Sequence, residues 1–177
     1  MRPTSAARDH RSPDSLSWIG QGKGDTLLRF VGSAMGANAA GRGTGAGTAA
    51  DPWVLTTPPG QSEFTAYRDP SADPPALVVQ VGSTQVRYHL RAIEDLVAML
   101  KSRKDWVLLG SADEQKPAAH GTVEAWARSS SNPVGGWYGL KKGLRGRFAN
   151  YVPPVVERLG LAEVEHNPKG NRMRSPR

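Results

Sequence analysis

The chain has 177 residues, no cysteine and a formal net charge of +7. That length holds one domain and an appendage, and the missing cysteines exclude disulfides, thiolate metal sites and cysteine nucleophiles, as expected for a reducing cytoplasm. No apolar run approaches the roughly 18–20 residues of a membrane span. The best N-terminal apolar stretch, Leu27 to Val31, is short, broken by Arg29 and too far from the start for a secretory signal, so a cytoplasmic protein with no membrane partner is expected.

Residues 1–24 mix Arg, Ser, Asp, Pro and Gly with too few apolar side chains to offset ordering entropy. Asp25 can cap a short helix through Met35, with Leu27, Leu28 and Val31 on one side. Residues 36–50 form a Gly/Ala-rich linker in which no side chain can anchor a core. Its Gly41, Gly43 and Gly45 lack the preceding strand and following Lys of a phosphate loop. Met35, just before the linker, is a second candidate for the start of translation. Residues 1–50 are therefore expected to be a disordered tail and linker, with order beginning at Asp51-Pro52-Trp53.

From Trp53 the pattern is that of strands. Trp53 to Thr57 has β character and ends at Pro58-Pro59-Gly60; Ser62 to Arg68 alternates; Asp69 to Pro75 is a proline-rich loop. Ala76 to Val81 is the clearest strand, and Gly82-Ser83 turns it into Thr84 to Leu90, a hairpin expected at the sheet's centre. The period then changes from 2 to 3.6: Leu90, Ile93, Leu96, Val97 and Leu100 share one helical face, with Arg91, Glu94, Asp95 and Lys101 opposite. Trp106 to Gly110 reads as one more buried strand, and Ser111 to Gly121 as a polar connection. Thr122 to Arg128 fits either a strand or a short helix.

Beyond the Asn132-Pro133-Val134-Gly135-Gly136 turn, Trp137, Leu140, Leu144 and Phe148 are spaced as one stripe of a helix. Gly139, Gly143 and Gly146 together would cost that helix about 3 kcal/mol relative to Ala, so the segment is a helix only if something packs close to its backbone, and otherwise a loop. Asn150 reads as the N-cap of a following helix with Pro153-Pro154 in its first turn and Gly160 as its C′ residue. Leu161 to Glu165 and Arg172 to Arg174 then read as strands joined by a tip over His166 to Asn171. The fold class is α+β: a small antiparallel sheet with one packed amphipathic helix, followed by a C-terminal helix–helix–hairpin segment. Residues 51–175 would form a single domain, with a β-rich part over 51–121 and a basic part over 122–175.

Charge is unevenly spread. Residues 1–50 carry +3, residues 51–130 carry −2, and residues 131–177, with nine Lys/Arg against three Asp/Glu, carry +6. A basic segment on a near-neutral domain points to a nucleic acid or to an acidic protein as partner. Helix, Leu-Gly-Leu, strand, basic turn and Arg-x-Arg strand, over residues 137–175, resemble the end of a winged-helix domain. The resemblance implies a helix in the major groove and a basic wing on the backbone. Lys141, Lys142, Arg145, Arg147, Lys169, Arg172 and Arg174 would then contact phosphates, and Trp137 and Tyr138 could form a stacking shelf for bases. The apolar opening Val152 to Val156 has no side chain for base edges, which leaves Gly139–Phe148 as the reading helix.

A longer set of motifs is similar to a family of small uncharacterised bacterial proteins of unknown function. It comprises Gly121 to Trp126, Asn132 to Leu140, Arg145 to Phe148, Leu159 to Glu163 and Asn171 to Arg174. The resemblance spans most of residues 51–175, implies a stand-alone domain and transfers no site.

No catalytic site, cofactor or metal site is read from the chain. Glu114-Gln115-Lys116, with Asp95 or Asp105 as second acid, fits half of a metal-dependent nuclease signature but lies in a loop-like run before Pro117. His120 and Glu124 are four apart, yet none of the four histidines falls in a zinc spacing. Ser129-Ser130-Ser131 lacks a nucleophile elbow. The leading expectation is a small nucleic-acid-binding, winged-helix-like protein, with regulation as its candidate role. The alternatives are a protein-interaction or accessory domain with a basic face and, second, a metal-dependent nuclease using Glu114 and Lys116.

Overall fold

A computed structural model describes residues 44–177. The tail over 1–43 and the helix expected from Asp25 to Met35 lie outside these residues.

The chain first builds a four-stranded antiparallel meander. Its strands are β1 (Trp53–Thr56), β2 (Glu63–Asp69), β3 (Ala76–Val81) and β4 (Thr84–His89), in the order β1-β2-β3-β4. The β3–β4 hairpin expected at the centre therefore has β4 at the edge. Alternation puts Leu55 opposite Phe64, Ala66 opposite Val79, and Leu77 opposite Tyr88 on one face, all buried in the core. Both edges of this sheet are covered, which removes a template for aggregation. Thr44 bridges to Val54 on β1, and the segment Tyr138–Leu140 lies along β4, where the His89 N–H donates to the Tyr138 carbonyl and the Leu140 N–H to the Arg87 carbonyl.

Order thus begins before Asp51. The N–H groups of Ala46, Gly47 and Thr48 all donate to the Asp51 carbonyl, the Arg68 N–H donates to Gly47, and Gly47 lies against the Trp53 ring with φ +76°, where a Cβ would collide with the indole. The end of the Gly/Ala run lacks anchoring side chains, but its glycines let backbone pack directly on the tryptophan.

Helix α1 (Ala92–Arg103) buries Ile93, Leu96, Val97 and Leu100, as its periodicity predicts. Next come β5 (Val107–Leu108), α2 (Val123–Trp126), α3 (Phe148–Arg158), β6 (Glu163–Val164) and β7 (Arg172–Arg174). The last three strands form a second antiparallel sheet in the order β5-β7-β6, so β5 does not extend the first sheet. Val107, Met173 and Val164, which pair across it, join the same core cluster as the first sheet, α1 and α3. β5 is not wholly buried either: Leu108 is 49% exposed, and Trp106, expected in the core, is half-buried under the guanidiniums of Arg172 and Arg174.

Thr122 to Arg128 resolves as the short helix α2. Thr122 caps it, accepting from the Ala125 N–H. Residues 137–147 form no helix. Gly139 packs on the Arg145 backbone and Gly146 on the backbone of Ala112 to Glu114, so a Cβ at either would collide with main chain. Gly139 and Gly146 thus sit where the loop is wedged against neighbouring main chain, while Gly143 has open space at φ +89°. α3 begins at Phe148, with Arg147 in left-handed conformation as its N-cap, which makes Asn150 an interior residue and puts Pro153 and Pro154 beyond the first turn. It ends as expected: Gly160 has φ +72°, and the Leu161 N–H donates to Val156, closing a Schellman motif.

Candidate functional site

Three loops meet at the start of α3: the segment 111–119, the segment 137–147 and α2 with its flanks. What joins them is a buried ion pair. Glu124 and Arg128 stand four apart on α2 and its C-terminal extension, the spacing that brings helical side chains together. The Glu124 side chain is 0% exposed and that of Arg128 10%. The Glu124 carboxylate also accepts the backbone N–H of Ala149 at 2.9 Å, so a carboxylate from a distant helix caps α3 in place of Asn150. Burial pushes the Glu124 carboxyl above its ordinary value, against the lowering effect of the Ala149 N–H and Arg128. Arg128 reaches further, donating to the Lys116 carbonyl at 2.8 Å and to the Ala112 carbonyl.

The aromatic residues fill the space beside this pair. Phe148 packs edge-on against Tyr88 and Trp126 and tilted against Tyr138. The Tyr88 hydroxyl donates to the Gly146 carbonyl and the Tyr138 hydroxyl to Asp95, each at 2.9 Å. Burial raises the pKa of both phenols, and the Asp95 carboxylate adds to the effect on Tyr138. Asn132, also buried, donates to the Trp126 and Gly136 carbonyls and accepts from the Val134 and Gly136 N–H groups, which pins the Asn-Pro-Val-Gly-Gly turn.

The basic residues divide into two groups. Arg145 makes a two-pronged ion pair with Glu114, Arg147 pairs with Asp113, Arg172 with Glu165 and Arg174 with Glu163. These contacts hold the Asp113, Glu114 and Glu165 carboxyls below their ordinary values, the arginine hydrogen bond being the largest cause in each case. Lys141, Lys142 and Lys169 are exposed, and none of them is in an ion pair among the described residues. Of the nine cations of the last segment, Arg145 and Arg147 thus pair with acids of the preceding one, and Arg172 and Arg174 with glutamates of their own hairpin.

The expected stacking shelf is not available as such. Tyr138 is fully buried, and Trp137 is half-buried with the guanidiniums of Arg128 and Arg145 each 4.6 Å from its ring centroid. The two helices weighed for base reading fare no better. Gly139–Phe148 is mostly loop, and from Phe148 to Val156 every α3 side chain except Asn150 is buried. Glu114, weighed as a metal-binding acid, has both carboxylate oxygens engaged by Arg145. Asp95 is held by Arg91 and Tyr138, and exposed His120 cannot share a metal with buried Glu124. No group of three or more potential metal ligands occurs among the described residues. The Glu124–Arg128 pair was missed in sequence; its only signal was the i,i+4 spacing.

These features define a two-sheet α+β domain in which Arg128, Arg145, Arg147, Arg172 and Arg174 pair with the domain's own acids. The chain belongs to DUF6855, a family of unknown function, which matches residues 45–176. No curated protein and no solved structure matches it. No helix among the described residues is long and apolar enough to cross a membrane.

Proposed function

We propose that the domain is a protein-interaction or accessory module with no chemistry of its own, whose partner presents carboxylates. The observation that carries this reading is the division of the basic residues. The four arginines expected on phosphates are spent on internal carboxylates, while Lys141, Lys142 and Lys169 remain for weaker, more local contacts. A duplex presents a dense, continuous row of charge, and affinity for it grows with the number of cations that can displace counterions. A protein surface with scattered acids asks for fewer.

A second reading, nucleic-acid binding in a winged-helix-like manner, draws support from element order. From α1 onward the chain runs α1-β5-α2-α3-β6-β7 with sheet order β5-β7-β6, a helical unit closed by a hairpin with Lys169 at its tip. With α3 buried, such binding would be to backbone alone and blind to sequence.

One titration separates the two. Labelled duplex DNA, single-stranded RNA and a phosphate-free acidic polypeptide are each added to the full chain at low salt and followed by fluorescence anisotropy. The first reading expects the polypeptide to bind and the nucleic acids to bind weakly. Tight nucleic-acid binding with a steep salt slope, abolished by Lys141→Ala, Lys142→Ala and Lys169→Ala together, would overturn it in favour of the second.

A further inference from the structure

Between the β6–β7 tip, the end of β5 and the first turn of α3 lies a groove of about 290 Å³. Its walls are mainly apolar: Pro58 and Pro59 from the turn after β1, Leu108 and Leu109 from β5, and Ala149 from α3. Leu108 is the only exposed large apolar side chain among the described residues. Leu108, 49% exposed, and partly exposed Pro59 leave an apolar edge in water beside the groove. The volume falls at the lower edge of the roughly 300–1,000 Å³ typical of small-molecule sites, and suits one or two inserted side chains.

Charge says what kind. Among the described residues, Lys169 is the only charged one lining the groove, no carboxylate lines it, and Lys169 is in no ion pair. The hairpin that carries Lys169 is held in place rather than loose. Asn171 and Asn167 exchange two hydrogen bonds across the tip, and the His166 ring sits between the Glu157 carboxylate and the Pro58 carbonyl, which ties the tip to the proline wall.

From this we infer that the groove is a docking site for an extended segment of a partner protein that places an apolar side chain against Leu108 and Pro59 and a carboxylate on Lys169. The inference rests on the protein-interaction reading and adds to it a surface and a partner chemistry. The buried apolar contact supplies affinity, and the single cation selects acidic neighbours over basic ones.

The test uses three labelled synthetic peptides added to the full chain: one alternating Asp and Leu, one alternating Lys and Leu, and one alternating Asp and Ser. The Asp/Leu peptide should bind and the other two should not. Leu108→Asp and Lys169→Glu should each weaken it at least about tenfold, 1.4 kcal/mol, and Lys169→Glu should now accept the Lys/Leu peptide. Since Leu108 and Lys169 are exposed, both variants should melt as the parent does, and a melting curve checks this. The proposal is overturned if the Asp/Leu peptide fails to bind up to millimolar concentration, or if Lys169→Glu leaves its affinity unchanged. It is overturned equally if binding tightens on deletion of residues 1–43, which would assign the groove to the chain's own N-terminal segment, or if the protein sediments as a dimer that Leu108→Asp dissociates, which would assign it to a second copy. Duplex DNA is titrated in parallel. Tight DNA binding lost with Lys141 and Lys142 defeats the protein-interaction reading, whereas peptide failure with weak DNA binding and retained affinity for an acidic polypeptide defeats the groove alone.

Discussion

The carboxylate of Glu124 accepts the backbone N–H of Ala149 at 2.9 Å, twenty-five residues along the chain. One side chain thereby caps α3 and, through Arg128, holds the carbonyls of Ala112 and Lys116. Three segments that the sequence separates by loops are fixed to one another by that pair.

Glu124→Ala should therefore be severely destabilising, by about 3–5 kcal/mol, because it leaves Arg128 buried without its counter-charge and α3 without its cap. Glu124→Gln keeps an acceptor for Ala149 and should cost less. Urea denaturation of the two variants measures the difference, and equal losses would mean that the charge is irrelevant.

Gly146→Ala should cost about 1–3 kcal/mol, since its Cβ would meet the main chain of Ala112 to Glu114, which cannot step aside as a side chain could. Gly143→Ala meets no neighbour but stands at φ +89°, so it should lose less, from backbone conformation alone. Thermal melts of the two variants rank the effects.

Tyr88 and Tyr138 should resist ionisation in the folded protein. Burial raises both phenol pKa values, so the native state keeps protons that the unfolded chain releases near pH 10. Stability from these groups is fully present below that value and declines as pH rises above it. An ultraviolet titration should show tyrosinate from both appearing with unfolding, and Tyr138→Phe should cost about 1–2 kcal/mol by removing the bond to Asp95.

At the acid end the sign reverses. Asp113, Glu114 and Glu165 have depressed pKa values, caused first by hydrogen bonds from Arg147, Arg145 and Arg172. Their contribution is present above the ordinary carboxylate value of about 4 and is lost as pH falls through the depressed values. Melting temperature should fall below about pH 4, and less steeply in Glu114→Gln.

Freeing two arginines should change what the surface attracts. Asp113→Asn combined with Glu114→Gln releases Arg147 and Arg145. Affinity for duplex DNA at low salt should rise, and the salt slope should steepen by up to about 0.9 for each guanidinium that reaches a phosphate. Anisotropy at several salt concentrations provides both numbers, and an unchanged slope would show that the ion pairs do not hold these side chains back.

Local pattern determined the four strands of the first sheet, the buried face of α1, the Gly160 stop and the closing hairpin, because alternation and the 3.6-residue repeat record which side of an element meets the core and turn residues record where it ends. The α+β class was legible at the same level, and the family through the resemblance of its motifs. What only the tertiary structure decided lies between residues 104 and 150. Trp137, Leu140, Leu144 and Phe148 carry helical spacing, yet the segment is a loop, since Gly139 and Gly146 are needed where main chains touch, a contact between distant segments that local spacing does not encode. Glu124 caps a helix it does not belong to. Segment charge counted cations that the fold returns to its own carboxylates, because an ion pair depends on distance in space, and Arg145 meets Glu114 only once two loops have closed on each other.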